Sequence, residues 1–195
     1  MKKIILASAS PRRQQLLANL GVPFNIFPAN IEEEIFPSEK PRDAVRRIAE
    51  AKARAVAKSF AEGLIIAADT AVVLAGEFLG KPSSPGEANE MLQRLSGRSH
   101  QVITAVCLYD VKSAATIVDE EETRVYFRTL TREEIESYVK TGEPMDKAGA
   151  YGIQDRGALL VEKIEGCYFN VVGLPLGRLY LMLKGYGINL LEVGV

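Results

Sequence analysis

Leu64-Ile65-Ile66-Ala67-Ala68-Asp69-Thr70-Ala71-Val72-Val73-Leu74 is the stretch on which the fold turns. Leu64 to Ala68 is a continuous apolar run, short and rich in branched residues, as expected of a strand buried on both faces. Asp69 and Thr70 interrupt it, and Ala71 to Leu74 resumes the pattern. Upstream, Ile4 to Ala7 reads as a second buried strand. A Ser/Pro turn, Ser8 to Pro11, leads from it into a helix from about Arg12 to Leu20, which Gly21 stops. Phe24 to Phe27 reads as a short strand, followed by the acidic loop Glu32-Glu33-Glu34. Pro41 sits near the start of a long helix reaching about Ser59.

Downstream, Ser84-Pro85-Gly86-Glu87 has the form of a capping box, with a helix to about Leu95. Ser99–Tyr109 and Thr116–Phe127 read as two long antiparallel strands. Thr131 to Glu134 opens a helix to about Val139. Leu159–Ile164 and Tyr168–Val171 are expected to form a hairpin around Glu165-Gly166, and a last helix covers about Leu176 to Leu183. Helices alternate with buried strands early in the chain, and paired strands dominate later. The pattern predicts an α/β protein with a mixed sheet, in one domain over residues 1–195, since no linker or repeat divides it.

Composition narrows the function classes. A formal net charge of −1 argues against a broad nucleic-acid-binding face. With one histidine, His100, a His-based metal centre or a Ser-His-Asp triad is not expected; His100 reads as structural or as a group behind the site. Cys107 and Cys167 lack zinc-site spacing and read as core cysteines of a reducing compartment. Lys2-Lys3 and the run Ile4–Ala7 superficially suggest a signal peptide, but the run is too short and Arg12-Arg13 follows. No segment reaches the ~20 apolar residues of a membrane span, so the expectation is a cytoplasmic protein.

Asp69 is read at the C-terminal end of a buried strand, where ligands of open α/β sheets bind. A carboxylate buried there must be paired, metal-bound or neutralised; the alternative is a loop aspartate capping a turn. Lys52 shares a helical stripe with Val45, Ile48 and Val56. It either snorkels to the rim or serves anions in a cleft. Gly80-Lys81-Pro82 fails as a P-loop: Gly76 is one residue too close, and Pro82 stands where a hydroxyl should hold magnesium. Lys81 is then a point charge for a phosphate or a solvated loop lysine.

Ser8, Ser10, Arg12 and Arg13 precede or open the first helix and suit a phosphate; the alternative is a capped helix with surface arginines. Two arginines in a first turn oppose the helix dipole. Glu32 to Glu34 form a solvated loop unless one faces Asp69, where two carboxylates could share a hard divalent ion. The glycine-rich stretch Gly142 to Gly157 carries Asp146, Lys147, Tyr151 and Gln154 in a loop long enough to be functional. Carboxylates, scattered cations and glycine turns, with no nucleophile dyad, fit metal-assisted attack of water on a phosphate chain.

Taken together, the motifs resemble the Maf family. Ser8-Ala9-Ser10-Pro11-Arg12-Arg13 with Leu16-Leu17 matches its opening. Ala68-Asp69-Thr70, Gly80-Lys81-Pro82, Leu95-Ser96-Gly97-Arg98-Ser99-His100 and Thr104-Ala105-Val106 follow in order. So do Glu143-Pro144-Met145-Asp146-Lys147-Ala148-Gly149-Ala150-Tyr151-Gly152-Ile153-Gln154 and Gly173-Leu174-Pro175. The resemblance implies a mixed twisted sheet flanked by helices with a central cleft, similar in fold to the inosine triphosphate pyrophosphatases. It implies a house-cleaning pyrophosphatase that uses a divalent metal (magnesium or manganese) and water attack at the α-phosphate, and it allows a homodimer.

By the same resemblance Asp69 is the general base and a metal ligand, Glu33 the second metal-region carboxylate, and Ser10, Arg13, Lys52 and Lys81 the groups around the triphosphate. Arg12, Thr70 and Gln154 occupy the positions that sort the family by base, and their combination resembles the dTTP/UTP branch. The branch acting on 7-methyl-GTP typically carries tryptophan, glutamine and glutamate there. A glutamine amide can accept from the N3–H of uracil or thymine and donate to a ring carbonyl. The competing expectations are a 7-methyl-GTP or modified-purine enzyme, a non-catalytic nucleotide sensor in septum formation, and an RNA-binding module. Low charge and the absence of clustered aromatics disfavour the last.

Overall fold

The computed structural model describes residues 2–36 and 38–192. Seven strands, β1 (Ile4–Leu6), β2 (Phe24–Ile26), β3 (Leu64–Leu74), β4 (Glu77–Leu79), β5 (Ser99–Asp110), β6 (Thr116–Phe127) and β7 (Val161–Glu165), form one mixed sheet. The order is β2-β1-β3-β5-β6-β7, with β4 paired to β3 off that path. Helices α1 (Pro11–Ala18), α2 (Pro41–Ala57), α3 (Pro85–Leu95), α4 (Arg132–Lys140), α5 (Tyr168–Val172) and α6 (Leu176–Lys184) complete the mixed α/β fold. Among the described residues no helix is long and apolar enough to cross a membrane.

The chain divides into two compact units, residues 1–69, 104–121 and 173–195, and residues 70–103 and 122–172. In the first unit β1 pairs in parallel with both β2 and β3. Parallel neighbours need crossover helices, and α1 and α2 supply them. Its core holds the fully buried Ile4, Ile5, Leu6, Leu17, Leu64, Ile65, Ile66, Leu108, Leu174 and Leu179. In the second unit α3 lies against α4, and Leu92 and Leu95 pack with Val72, Val102, Val125, Phe127 and Ile135.

Local chemistry sets most boundaries. Ser10 caps α1 through its hydroxyl and Pro11 opens the helix. Thr131 and Glu134 cap α4 reciprocally, as the sequence predicts. At α3 only half the box forms: Ser84 Oγ accepts from the Glu87 amide, but the Glu87 carboxylate bonds Ser83 instead.

Two expectations fail. The strand does not break at Asp69: β3 runs unbroken from Leu64 to Leu74, its register with β1 ending at Leu6↔Ile66 while β5 and, from Val72 to Leu74, β4 pair with it. Asp69 thus lies past the carboxyl end of β1 rather than of its own strand. The expected hairpin is also absent. β7 pairs antiparallel with β6, and Tyr168–Val172 is helical. Cys167 exchanges bonds of 3.0 Å with the Thr123 hydroxyl on β6, and buried Asn170 donates to Val102 O and Thr123 Oγ1 at 2.9 Å each. These anchors override the β-propensity of the aromatic and branched residues.

His100, at the start of β5, is a core residue. It is 3% exposed, packs edge-on against Phe127 and Tyr151, and shares a 2.6 Å hydrogen bond between Nε2 and the Tyr151 hydroxyl. Its Nδ1 has no partner among the described residues. Burial lowers its pKa from 6.5 to about 4. The unfolded chain therefore binds a proton near pH 6.5 that the folded chain refuses until about pH 4. His100 contributes stability above the upper value that is lost as pH falls through this window, by roughly 1.4 kcal/mol per unit. Urea unfolding from pH 7 to 4 should show a shallower loss in His100→Gln than in the parent chain; identical slopes would contradict this account.

Candidate active site

The first unit gathers one charged cluster. Lys52 lies on the buried stripe of α2 with Val45, Ile48, Ala49 and Val56, and is itself 6% exposed. It does not snorkel outward. Its ammonium sits 2.7 Å from Asp69 Oδ1 on β3 and 2.8 Å from Glu33 Oε1 in the loop after β2. Two carboxylates from separate segments thus converge on one cation.

Asp69 is 8% exposed. Burial raises its pKa above the ordinary carboxylate value; Lys52 and then Arg13 pull the other way without reversing it. Such a carboxylate is a stronger base than an exposed one.

Arg13 opens out of α1 toward the same place. Its Nε donates to Gly173 O at 2.7 Å and its Nη1 to Ala68 O at 2.8 Å. These carbonyls, beside Asp69 in sequence and before Leu174, explain how an arginine is held in a first helical turn against the dipole. Desolvation lowers the Arg13 pKa, partly offset by Asp69 and Glu33. Ser8 is buried, its hydroxyl accepting from the Ser10 amide at 3.2 Å, and Ser10 in turn caps the Arg13 amide at 3.5 Å. Arg12 is half-buried on the same turn.

The sequence gives no sign of what orders the acidic loop. Arg47 of α2 forks onto Glu39 with two 2.7 Å bonds, donates to Glu34 O at 2.7 Å, and lies over the Phe36 ring at 4.2 Å. It fixes the loop one residue from Glu33. A bidentate pair is the geometry arginine favours, but its partner cannot be chosen from a run of glutamates.

The remaining expected residues belong to the second unit. Thr70 follows Asp69 on β3 and is half-buried; Lys81 is exposed in the turn after β4. Gly80 O accepts from the Gly149 amide at 3.0 Å, which ties the Lys81 turn to the glycine-rich segment. That segment folds as three short 3₁₀ turns, Glu143–Asp146, Ala148–Ala150 and Asp155–Leu160. Gly149 is left-handed at φ 69°, and a Cβ there would meet Val72 Cγ1 at 2.9 Å, so only glycine fits. Gln154 is half-buried just before the third turn.

The donor set suits a hard divalent ion. Glu33 and Asp69 already point oxygens at one positive centre, and magnesium sites commonly use one or two carboxylates with substrate phosphates completing the shell. Among the described residues there is no group of three or more His, Cys, Asp or Glu that could hold a metal ion.

Comparisons with known proteins bear on the family. The Maf-like protein family matches residues 3–186. A protein of Syntrophomonas wolfei named dTTP/UTP pyrophosphatase is 56% identical over 187 residues, covering 96% of this chain and 99% of its own. Proteins of the same name from Moorella thermoacetica and Methanosarcina mazei are 52% and 47% identical, over 97% and 98% of both chains. Among solved structures, the Staphylococcus aureus Ham1 protein superposes with a TM-score of 0.54 at 16% identity, over 95% of this chain and all of that one, a likeness of fold alone. Matched by the family from its third residue to its 186th, and by relatives over nearly their whole length, this chain belongs to the Maf family.

Proposed function

We propose that this chain hydrolyses dTTP and UTP to the nucleoside monophosphate and pyrophosphate. The observation that carries the reading is the convergence of Glu33 and Asp69 on Lys52, in a chain whose relatives bear the name dTTP/UTP pyrophosphatase. In this reading Glu33 and Asp69 hold a divalent ion, magnesium or manganese, together with phosphate oxygens. When bound, such an ion neutralises phosphate charge and makes a nearby water more acidic.

Asp69 takes a proton from the water that attacks the α-phosphorus. The new P–O bond forms as the bond to the bridging oxygen breaks, and pyrophosphate leaves with the electron pair. Lys52, Arg13 and Lys81 set positive charge against the triphosphate, and Ser10 and the α1 N-terminus add hydrogen-bond donors and dipole. Arg12, Thr70 and Gln154 read the base. The free thiols Cys107 and Cys167 are in keeping with the cytoplasm.

Pyrophosphate release across a nucleotide panel, with and without magnesium, tests the activity. UTP and dTTP should lead and chelation should stop turnover; release of orthophosphate with UDP would overturn the reading. Asp69→Asn keeps the shape but cannot accept the proton. Its kcat should fall roughly 10²–10⁴-fold, the usual worth of a general base, while nucleotide binding is hit less. Near-parental turnover would put the base elsewhere.

Gln154→Glu removes the donor and faces ring carbonyls with a charge. The kcat/KM for UTP and dTTP should fall at least about tenfold, since an unpaired polar group costs about 1–3 kcal/mol. Hydrolysis of an unselective phosphate analogue should fall less. An equal fall for UTP, dTTP, GTP and 7-methyl-GTP would remove Gln154 as the reader of the base.

A further inference from the structure

The six-residue segment Gly152 to Gly157 has its two ends tied to one hydrogen-bonded pair, Tyr138 and Glu143. Tyr138, 5% exposed in the last turn of α4, accepts from the Gly152 amide at 3.3 Å and donates to Glu143 Oε1 at 2.9 Å. The same Oε1 accepts from the Gly157 amide at 3.2 Å. The chain brings Glu143 back to Tyr138 through a turn at Thr141, whose hydroxyl donates to Tyr138 O and accepts from the Glu143 amide. Gly142, at φ 76°, completes that turn.

The ends of the loop also touch. A Cβ at Gly157 would lie 2.0 Å from Gly152 O and 2.7 Å from the Tyr138 hydroxyl, so the neck closes only around glycine. Asp155, inside the loop, is left-handed at φ 53°, a conformation that costs energy in a non-glycine residue and persists where its surroundings hold it. Just outside the loop, Tyr151 is pinned by His100 and Phe127. Gln154 stands between the two tied ends, and among the described residues nothing pairs with its side-chain amide.

We propose that Tyr138 and Glu143 are positioning residues that clamp the Gly152–Gly157 loop and set base selectivity through Gln154. This rests on the reading of Gln154 given above. The clamp fixes the backbone from which the amide reaches, and so where its acceptor and donor can meet an imide edge; a loop free to flex would move that origin and blur the distinction between bases. Neither clamp residue is assigned a contact with substrate. Burial raises the Tyr138 pKa above the ordinary phenol value, so the hydroxyl keeps the proton it donates to Glu143.

Tyr138→Phe removes one oxygen and preserves the packing. We expect the ratio of kcat/KM for UTP over GTP to fall about tenfold, the lower part of what an unpaired buried amide costs, through a rise in KM for UTP more than a fall in kcat. Backbone amides from Gly152 to Gly157 should exchange hydrogen faster. Glu143→Gln keeps an acceptor oxygen and should stay within about twofold of the parent, whereas Glu143→Ala should behave as Tyr138→Phe.

In a Gln154→Ala background, Tyr138→Phe should lower the ratio no further, the non-additivity expected of residues acting through one another. Faster exchange with an unchanged ratio would overturn the proposal, as would a full additional loss in the Gln154→Ala background. If Gln154→Ala leaves the ratio intact while Tyr138→Phe lowers it, the clamp stands and Gln154 is not the residue through which it acts.

Discussion

The Lys52 ammonium held between Asp69 and Glu33 is the interaction on which the first unit depends. A carboxylate this deeply buried is expensive unless a cation satisfies it, and removing one partner of such a pair leaves the other charge stranded, at about 3–5 kcal/mol. The pair therefore constrains everything that carries it. α2 must present Lys52 inward from an apolar stripe, β1 must end before β3 does, and the loop after β2 must bring Glu33 close. Arg47 serves this last requirement from one and a half turns up the same helix. The stability of these elements and the chemistry of the site rest on one set of charges. A divalent ion shared by the same two carboxylates would bear on the position that Lys52 already occupies.

The two units are organised in different physical terms. The first assembles charge: Asp69, Glu33, Lys52 and Arg13, each placed by a different segment. The second assembles backbone hydrogen bonds, with Gly152 tied through Tyr138 to Glu143 and Gly157 tied to Glu143 directly. In the proposed reading the charges meet phosphates, which every nucleotide shares, and the tied backbone carries the side-chain amide that distinguishes bases by the order of their donors and acceptors.

What the sequence made legible is what is locally encoded. The apolar run of β3, the Thr131 cap, the proline openings of α1, α2 and α3, and the mixed α/β plan follow from periodicity and turn chemistry. What it concealed depends on partners. The continuation of β3 through Asp69 depends on its pairing with β5 and β4. The helix at Tyr168–Val172 depends on Thr123 from a strand more than forty residues away. The periodicity of α2 leaves Lys52 open between rim and site, because its carboxylate partners Asp69 and Glu33 come from other segments. The Tyr138–Glu143 clamp leaves no trace in composition, since its partners are backbone amides. The closing glycines at 152 and 157 were visible only as part of a glycine-rich loop.

The central claim is that the Asp69 cluster directs water to the α-phosphorus. Hydrolysis of UTP in ¹⁸O-enriched water, with both products weighed by mass spectrometry after a single turnover, tests it most directly. The account predicts one heavy oxygen in the UMP phosphate and none in pyrophosphate. Heavy oxygen in pyrophosphate with unlabelled UMP would mean attack at the β-phosphorus and would contradict it.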